Sequence, residues 1–306
     1  MGRYVLKRLF QAALVVVSVM VVVFVVTRLI GDPVAVMLPL EATAENRAVM
    51  EAQLGLDRPI FVQLGDYIAD AVRFDFGDSL WQRRPAIDIV MERLLPTMVL
   101  VFSGFVLGLV LGAVIGVVAA IRPGRWMDRL FVLLGVLGIS LPQFWIGLVL
   151  IVFFSVGLGW FPTSGSGSLR HLVLPATVLA LPILGRIALV TRSSMIDELN
   201  TPHVKDATAR GLSRARIVIA HAFRGAGIAT ITVAGWELVG ALAGGAVVVE
   251  TVYAWPGIGF TAIQAIERHD IILLQGVVLV IAVIVVTINI LVDVTYTLLD
   301  PRVKFD

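Results

Sequence analysis

The chain has 306 residues, of which 58% are hydrophobic and only 15% are charged, and its formal net charge is +2. A soluble domain of this size carries about a quarter charged residues, so the composition excludes an ordinary soluble fold and favours a bilayer as the solvent. The chain has no cysteine, and its four histidines lie far apart without H-x-x-x-H spacing. Neither a disulfide framework nor a common metal site is therefore expected.

Six hydrophobic segments are each long enough to cross a hydrocarbon core about 30 Å thick. They cover residues 9–30, 98–121, 130–156, 172–191, 228–253 and 271–299. None alternates apolar with polar residues, so membrane helices rather than barrel strands are predicted. The first segment is too long for the apolar core of a signal peptide, and no small-residue cleavage site follows it. We interpret residues 1–30 as a cytoplasmic N-terminus and a retained first helix.

Lysine and arginine are concentrated on one side of these segments. The N-terminus, the turn after segment two, the loop between segments four and five and the C-terminal tail are basic, whereas residues 31–96 hold six arginines against eleven acidic residues. Basic loops stay in the cytoplasm, so both termini are predicted there. The predicted fold is an all-α membrane protein with six transmembrane helices, N-in and C-in.

Residues 31–96 form an extracytoplasmic insertion after helix one that is too polar to span the membrane. Within it, residues 44–54 and 59–73 predict short amphipathic helices. The insertion either caps the outer mouth and meets a delivered substrate or its carrier, or is a spacer that packs over helix ends. Residues 97–306 then form the core with helices two to six, including a cytoplasmic loop at 192–227.

Several predicted spans contain glycine repeats or prolines that affect helix packing and shape. Glycines repeat at i, i+4 in segments two and five, which predicts close helix packing: Gly104, Gly108, Gly112 and Gly116, then Gly240 and Gly244. Pro142 and Pro182 predict kinks in segments three and four, because each removes a hydrogen bond from its helix.

Polar groups inside spans are costly, so each is a functional candidate. Gln143 follows Pro142, Glu237 lies near the middle of segment five, and Asn289 and Asp293 lie in segment six. These four residues could line a translocation path. Alternatively, Glu237 pairs with a nearby basic group, and Asn289 and Asp293 are partners for interhelical hydrogen bonds.

The spans contain no credible catalytic constellation and no phosphate-binding G-x-x-x-x-G-K-[ST] loop, so an enzyme is not predicted.

The basic loop between segments four and five carries the signals of a short helix. Thr201 can cap a helix that begins at Pro202, Gly211 fits the left-handed position that ends it, and Ser213 can cap the next helix. Such a helix can enter a groove on a cytosolic partner. A lipid-surface helix or a plain connector are the alternatives.

The same loop resembles the permease signature of ABC importers, in which E-A-A is followed after three residues by Gly. Here Lys205-Asp206-Ala207 precedes Gly211, and His221 and Arg224 follow. Further motifs along almost the whole chain are similar to the B-type permeases of dipeptide and oligopeptide importers. The matching motifs are Gly31-Asp32-Pro33, Leu54-Gly55-Leu56-Asp57-Arg58-Pro59, Phe76-Gly77-Asp78-Ser79, Leu158-Gly159-Trp160-Phe161-Pro162, Arg170-His171-Leu172-Val173-Leu174-Pro175, Gly244-Gly245-Ala246-Val247-Val248-Val249-Glu250-Thr251, Trp255-Pro256-Gly257-Ile258-Gly259, Gln275-Gly276-Val277-Val278 and Leu299-Asp300-Pro301-Arg302.

The resemblance implies the ABC importer permease fold and a subunit at the cell membrane that works in a larger assembly. The implied partners are a second permease in a heterodimer, two cytosolic ATPase subunits or domains, an extracytoplasmic peptide-binding protein and membrane lipid, with no nucleic acid. ATP and Mg²⁺ would be bound by the ATPase partners and no cofactor by this chain. The residues implied to couple to the ATPase are Val204, Lys205, Asp206, Ala207, Arg210, Gly211, Leu212, His221 and Arg224.

Three departures from the family's pattern are visible. Lys205 and Asp206 replace the signature Glu and its first Ala, Gly225-Ala226-Gly227 replaces an Asn-Ala and a later Pro, and Glu237 stands where relatives often carry Gln. The last departure leaves the substrate preference open, and because related permeases also serve other small solutes, a nickel chelate, an opine or a similar solute are alternatives to a peptide. An ion-driven secondary transporter, an intramembrane enzyme and a scaffold or receptor are the competing classes.

Overall fold

The computed structural model describes residues 2–30, 43–53 and 57–299, and these residues are almost entirely helical. Within those ranges no strand forms, and the one isolated β-bridge joins Asp78 to Pro85. The helices are α1 (Gly2–Ile30), α2 (Ala44–Gln53), α3 (Ile60–Val72), α4 (Ala86–Ile121), α5 (Trp126–Ser140), α6 (Gln143–Gly157, with a π-helical end at Ile151–Gly157), α7 (Leu169–Leu199), α8 (Pro202–Ala209), α9 (Arg214–Tyr253), α10 (Ile258–Glu267) and α11 (Ile271–Leu299).

The predicted spans are confirmed, and several are longer than expected. Among the described residues, five helices are long and apolar enough to cross a membrane: α1, α4, α7, α9 and α11. Segment two begins earlier, at Ala86, and segment five begins as far back as Arg214, because the sequence before each apolar run continues the same helix. Helix α11 has the predicted bounds. The short helices α2 and α3 match the two predicted in the insertion to within a residue at each end.

The third span is broken rather than kinked. Helices α5 and α6 meet at an angle of 105°, and the break falls at Leu141 and Pro142. Proline cannot donate to the helix ladder, so a new helix starts directly after it. Pro182 does not have this effect, since α7 continues through both Pro175 and Pro182.

Helices α4 and α7 show that the broken pair crosses the membrane once. Contacts along α4 from Gly104 to Gly116 are matched in the same order by α7 from Leu179 to Thr191, so the two helices run parallel. If α5 and α6 formed a re-entrant loop, the chain would return to the side of the membrane from which it entered, and α7 would run antiparallel to α4. The bent pair is therefore a single broken span, and the described chain has six.

The glycine repeat of α4 is a packing surface, as predicted. A Cβ on Gly108 would lie 2.8 Å from the carbonyl oxygen of Ala180, and one on Gly116 would lie 2.6 Å from the Cβ of Thr191. The second predicted surface, on α9, meets no neighbour within the described chain. A Cβ on Gly240 or Gly244 would meet nothing within 4 Å, because both glycines lie on the exposed side of the helix.

The chain divides into two compact units, and α4 and α11 contribute to both. One unit comprises Met1–Leu95 and Gly257–Thr287. Its core packs the start of α4 and helices α10 and α11 around side chains such as Ile89, Ile258 and Leu273. A second cluster joins α1, α3 and α11 through Met20, Ala71 and Leu279.

The other unit comprises Pro96–Pro256 and Ile288–Asp306 and holds α5 to α9. Its core includes Met195 and Ala222 at the cytoplasmic end predicted for α7 and α9. The motif residues at 31–33, 54–56 and 300–302 and the basic tail lie outside the described residues. The orientation of the termini stays a prediction.

Candidate functional site

The loop between α7 and α9 contains the short helix that the sequence predicted. Helix α8 begins at Pro202 after Thr201 and ends at Ala209. The predicted side-chain cap is wrong: the Thr201 hydroxyl donates to the carbonyl oxygen of Glu198 at 2.6 Å and closes the end of the preceding helix instead. Ser213 likewise precedes α9 without a capping hydrogen bond from its side chain.

The end of α8 is a complete Schellman motif built on Gly211. The residue has φ +77°, the left-handed conformation expected of it. Its N–H donates to the Thr208 carbonyl at 3.0 Å, and the N–H of Leu212 donates to the Ala207 carbonyl at 3.3 Å. These two bonds define the motif, and glycine is favoured because a side chain would strain the backbone there.

A small apolar cluster fixes α8 against its neighbours. Val204, Ala207 and Ile217 are buried, with Leu199 and Leu212 packed beside them. The cluster connects the end of α7, helix α8 and the start of α9. Helix α8 is therefore held against both helices that flank it in the chain.

The residues predicted to couple to an ATPase fall into two groups. Val204, Ala207 and the half-buried Leu212 face inward and hold the helix in place. By contrast, Lys205, Asp206 and Arg210 are exposed, and the last two form an ion pair of 2.8 Å one turn apart. His221 is half-buried and Arg224 exposed, and both lie on the following helix, α9. The outward face of α8 thus presents charge on a rigid base.

The carboxylate of Glu237 is paired. Its Oε1 accepts a hydrogen bond of 2.6 Å from Nη1 of Arg186 on α7. The Glu237 side chain is 8% exposed and the Arg186 side chain 51%. Of the two interpretations left open, pairing with a basic group is confirmed. Arg186 was not named because sequence spacing gives no sign of contact across 51 positions.

The other three predicted path residues lie at different places. Gln143 is the first residue of α6, and its Oε1 lies 3.7 Å from where a Cβ on Gly245 would be. Asn289 and Asp293 are half-buried and one turn apart on α11. All four predicted path residues lie in the larger unit.

Buried ionic groups that the sequence did not single out join the helices of the larger unit. Arg192 on α7 binds Asp128 on α5 through Nε and Nη2, the latter at 2.8 Å, and Asp128 also accepts the N–H of Gly124 at 2.7 Å. Elsewhere, the fully buried Glu250 accepts a 2.6 Å hydrogen bond from Thr97. The sequence signal for the first of these pairs is an acidic residue, Asp128, beside the start of one predicted span and an arginine, Arg192, directly after another.

A polar cluster in the smaller unit ties the insertion to the start of α11. The buried Asp270 accepts the N–H of Leu273 at 3.0 Å and so caps that helix. The same carboxylate accepts the hydroxyl of Ser79 and the N–H of Trp81. Residues 79–81 are thereby fixed at the end of a membrane span.

Comparison with known proteins agrees with this architecture. Residues 112–305 match the family described as binding-protein-dependent transport system inner membrane component, and residues 1–101 match the N-terminal part of such components. The chain is 38% identical over 307 residues to the glutathione transport system permease protein GsiC of Escherichia coli (strain K12), with all of both chains covered. It is 37% identical over 315 residues, again with full coverage, to a protein of Brucella abortus (strain 2308) named for a peptide transport system permease.

Among solved structures, a crystal structure of an amino acid ABC transporter with histidines matches with a TM-score of 0.55 at 15% identity. The match covers 68% of this chain and 93% of that one, and it supports the fold alone. Together with six spans and a rigid loop helix, these matches assign the chain to a transport role in the inner membrane rather than to an enzyme class. The chain belongs to the family of inner-membrane permease components of binding-protein-dependent ABC importers.

Proposed function

We propose that this chain is one of two permease subunits of an ATP-driven importer of dipeptides or oligopeptides. It forms the translocation path with the second permease and transmits movement from two cytosolic ATPase subunits or domains through the loop at 192–227. An extracytoplasmic binding protein delivers the peptide. ATP and Mg²⁺ are held by the ATPase partners.

The observation that carries this proposal is the rigid mounting of α8. A coupling element must transmit a push without deforming, and α8 is held by the cluster of Val204, Ala207 and Leu212 and ended by the Gly211 turn. Its charged outer face suits a polar groove on a partner. Because α9 begins three residues after Gly211 and runs unbroken to Tyr253, displacement of α8 reaches the membrane core directly.

The proposed path includes Glu237 and Gln143, together with Asn289 and Asp293 on α11. The Glu237–Arg186 pair supports this role, since Arg186 is half-exposed while it neutralises a carboxylate inside a span. A peptide carries an ammonium and a carboxylate, and each could exchange with one member of the pair. This exchange would bind cargo without leaving the buried carboxylate or its arginine unpaired.

The cargo class rests on the named relatives. Their names refer to peptide transport and to glutathione, and they align with this chain from end to end. Glutathione is itself a small peptide, so both names favour short peptides as the cargo. Chain length and side-chain preference are properties that the delivering protein would largely set.

Gly211→Ala tests coupling in the assembled transporter reconstituted in vesicles. A Cβ at Gly211 would meet nothing within 4 Å, so the substitution acts through the backbone conformation alone. The left-handed conformation costs an L-residue about 1–2 kcal/mol, which should tilt or fray α8 and lower uptake per ATP hydrolysed several-fold. Gly240→Ala is the matched control, because that glycine also has free space but lies in the helical part of α9, outside the loop.

Wild-type ratios of uptake to hydrolysis in Gly211→Ala would reject α8 as the coupling element. Cargo is tested separately by supplying labelled dipeptides, longer peptides and glutathione with the cognate binding protein. ATP-dependent uptake that a protonophore does not abolish is expected for peptides. Uptake driven by an ion gradient without ATP would instead identify a secondary transporter.

A further inference from the structure

A polar cavity of about 600 Å³ lies in the smaller unit, outside the proposed path and coupling loop. It is formed by the end of α1, one face of α3 and the first turns of α11. Its volume falls within the range of about 300–1,000 Å³ that is typical of small-ligand sites. Nothing in the proposed transport cycle uses it.

The cavity lies beside the ends of two candidate membrane spans, α1 and α11. Arg28 is the last residue of the first candidate span, and Gln275 is the fifth residue of the span that begins at Ile271. The two helices are tied there, because Nε2 of Gln275 donates to the Thr27 hydroxyl at 3.0 Å. A cavity beside these residues is at the depth of lipid headgroups.

Helix α3 has the exposed apolar groups of a helix that lies on a bilayer. Ala71 and the half-buried Tyr67 pack towards α1 and α11, whereas Ile60, Val72 and above all Phe61, at 83%, are exposed. A short amphipathic helix with large apolar side chains turned outward lies in the membrane interface. A helix in that position would bring lipid to its side of the cavity.

The lining offers cations without carboxylate partners. Arg58 pairs with Asp66 at 3.3 Å, but in the part of the chain that the structure describes no carboxylate lies within ion-pair distance of Arg28 or Arg73. Arg28 instead lies over the ring of Phe24, 5.1 Å from its centroid. Three arginines and the two aspartates Asp66 and Asp70 give the lining a net charge of +1.

A neutral hydrogen-bond donor completes the lining. The Tyr67 hydroxyl is buried and has no hydrogen-bond partner among the described residues. Burial raises the pKa of Tyr67 to about 12, so the hydroxyl keeps its proton at physiological pH. A buried hydroxyl without a partner is costly, and a bound acceptor would relieve that cost.

We propose that this cavity binds the phosphodiester of a membrane phospholipid, held by Arg28, Arg73 and the Tyr67 hydroxyl. Guanidinium groups bind phosphate oxygens with two parallel hydrogen bonds, and one phosphodiester neutralises the net charge of the lining. The acyl chains would extend along the exposed side of α1, where Val22, Val25 and Val26 face outward. The bound lipid would thus fasten α3 to the first span.

The test measures phospholipid retained by the assembled transporter after extraction and washing in detergent. Native mass spectrometry counts lipids bound in wild type, in the Arg28→Gln/Arg73→Gln double variant and in Tyr67→Phe. We expect one tightly held phospholipid per copy of this chain, a loss of affinity of tenfold or more in the double variant and a few-fold loss in Tyr67→Phe. Arg84→Gln, whose ion pair with Glu92 lies outside the cavity, should retain the lipid.

Added phosphatidylglycerol, phosphatidylethanolamine and free inorganic phosphate distinguish the sources of the phosphate. Rebinding of a phospholipid to the wild type but not to the double variant supports the proposal. Retention that is equal in wild type and double variant overturns it, and so does a site that binds inorganic phosphate while holding no lipid. If the double variant does not assemble, the retained phospholipid is compared instead between wild type, Arg73→Gln alone and Tyr67→Phe.

Discussion

Gly112→Ala should destabilise the packing of α4 on α7. The new Cβ would lie 2.8 Å from the Leu184 carbonyl oxygen and 2.9 Å from the Cβ of Ile187. Ordinary contact begins near 3.4 Å, so the helices would have to separate by about 0.6 Å at this point. Neither contacted atom can rotate away, because one belongs to the backbone and the other is the first atom of its side chain.

The magnitude follows from two opposing terms. Over-packing costs about 1–3 kcal/mol, and the rigid contact atoms place Gly112→Ala near the upper end. Alanine is better than glycine in a helix by about 1 kcal/mol, which leaves a net loss of about 2 kcal/mol. Gly240→Ala is the matched control, since its Cβ would meet nothing within 4 Å and only the helix-propensity gain remains.

The assay is unfolding of the purified chain by sodium dodecyl sulfate in mixed micelles, followed by circular dichroism. The free energy of unfolding should fall by about 2 kcal/mol in Gly112→Ala and stay equal or rise by up to about 1 kcal/mol in Gly240→Ala. Equal stabilities of the two variants would refute the close approach of α4 and α7. A destabilised Gly240→Ala with an unchanged Gly112→Ala would do so as well.

Three further predictions concern ion pairs. Asp128→Asn should destabilise the chain by about 3 kcal/mol, because breaking a buried ion pair costs about 3–5 kcal/mol and Arg192 keeps some solvent contact. Asp206→Asn breaks an exposed ion pair and should cost less than about 1 kcal/mol. Equal losses of stability in thermal unfolding would contradict the assigned burial of the two pairs. Arg186→Gln should lower the folded yield more than Glu237→Gln does, because only the first leaves a buried carboxylate without its partner. Glu237→Gln should also change peptide preference in uptake assays at unchanged complex yield, and an unaltered uptake profile would count against a cargo role for this residue.

The sequence predicted the elements of the fold well, because long apolar runs and local punctuation are properties of consecutive residues. The spans, the short helix at Pro202 and the left-handed Gly211 all follow from local pattern. Pro142 breaks its span where only a kink was predicted, whereas the helix continues through Pro182. Proline has the same chemistry at both positions, so the difference arises from packing that sequence does not display.

The sequence alone could not predict which residues of the candidate site pair with each other. Glu237 could be expected to find a cation, but the choice of Arg186 depends on how α7 and α9 are rotated against each other. The same holds for Asp128 and Arg192, which are 64 positions apart. Gly240 and Gly112 occupy equivalent patterns, yet only Gly112 meets a neighbouring helix. Spacing identifies a face of a helix, and tertiary structure decides what covers that face.

The continuity of α9 restricts how its length can change. The helix runs 40 residues from Arg214 to Tyr253, about 60 Å at 1.5 Å per residue, and contains two π-helical stretches, Ile217–Ala222 and Ala241–Gly245, one on each side of Glu237. One residue added in a regular stretch between the loop and Glu237 would rotate the carboxylate by about 100° away from Arg186. A π turn, however, is an α turn with one residue inserted, so a deletion there restores regular winding and keeps the phase of everything beyond it. Single-residue insertions and deletions among relatives should therefore accumulate at these two stretches, and the first of them sets the phase between the cytoplasmic loop and the Glu237–Arg186 pair.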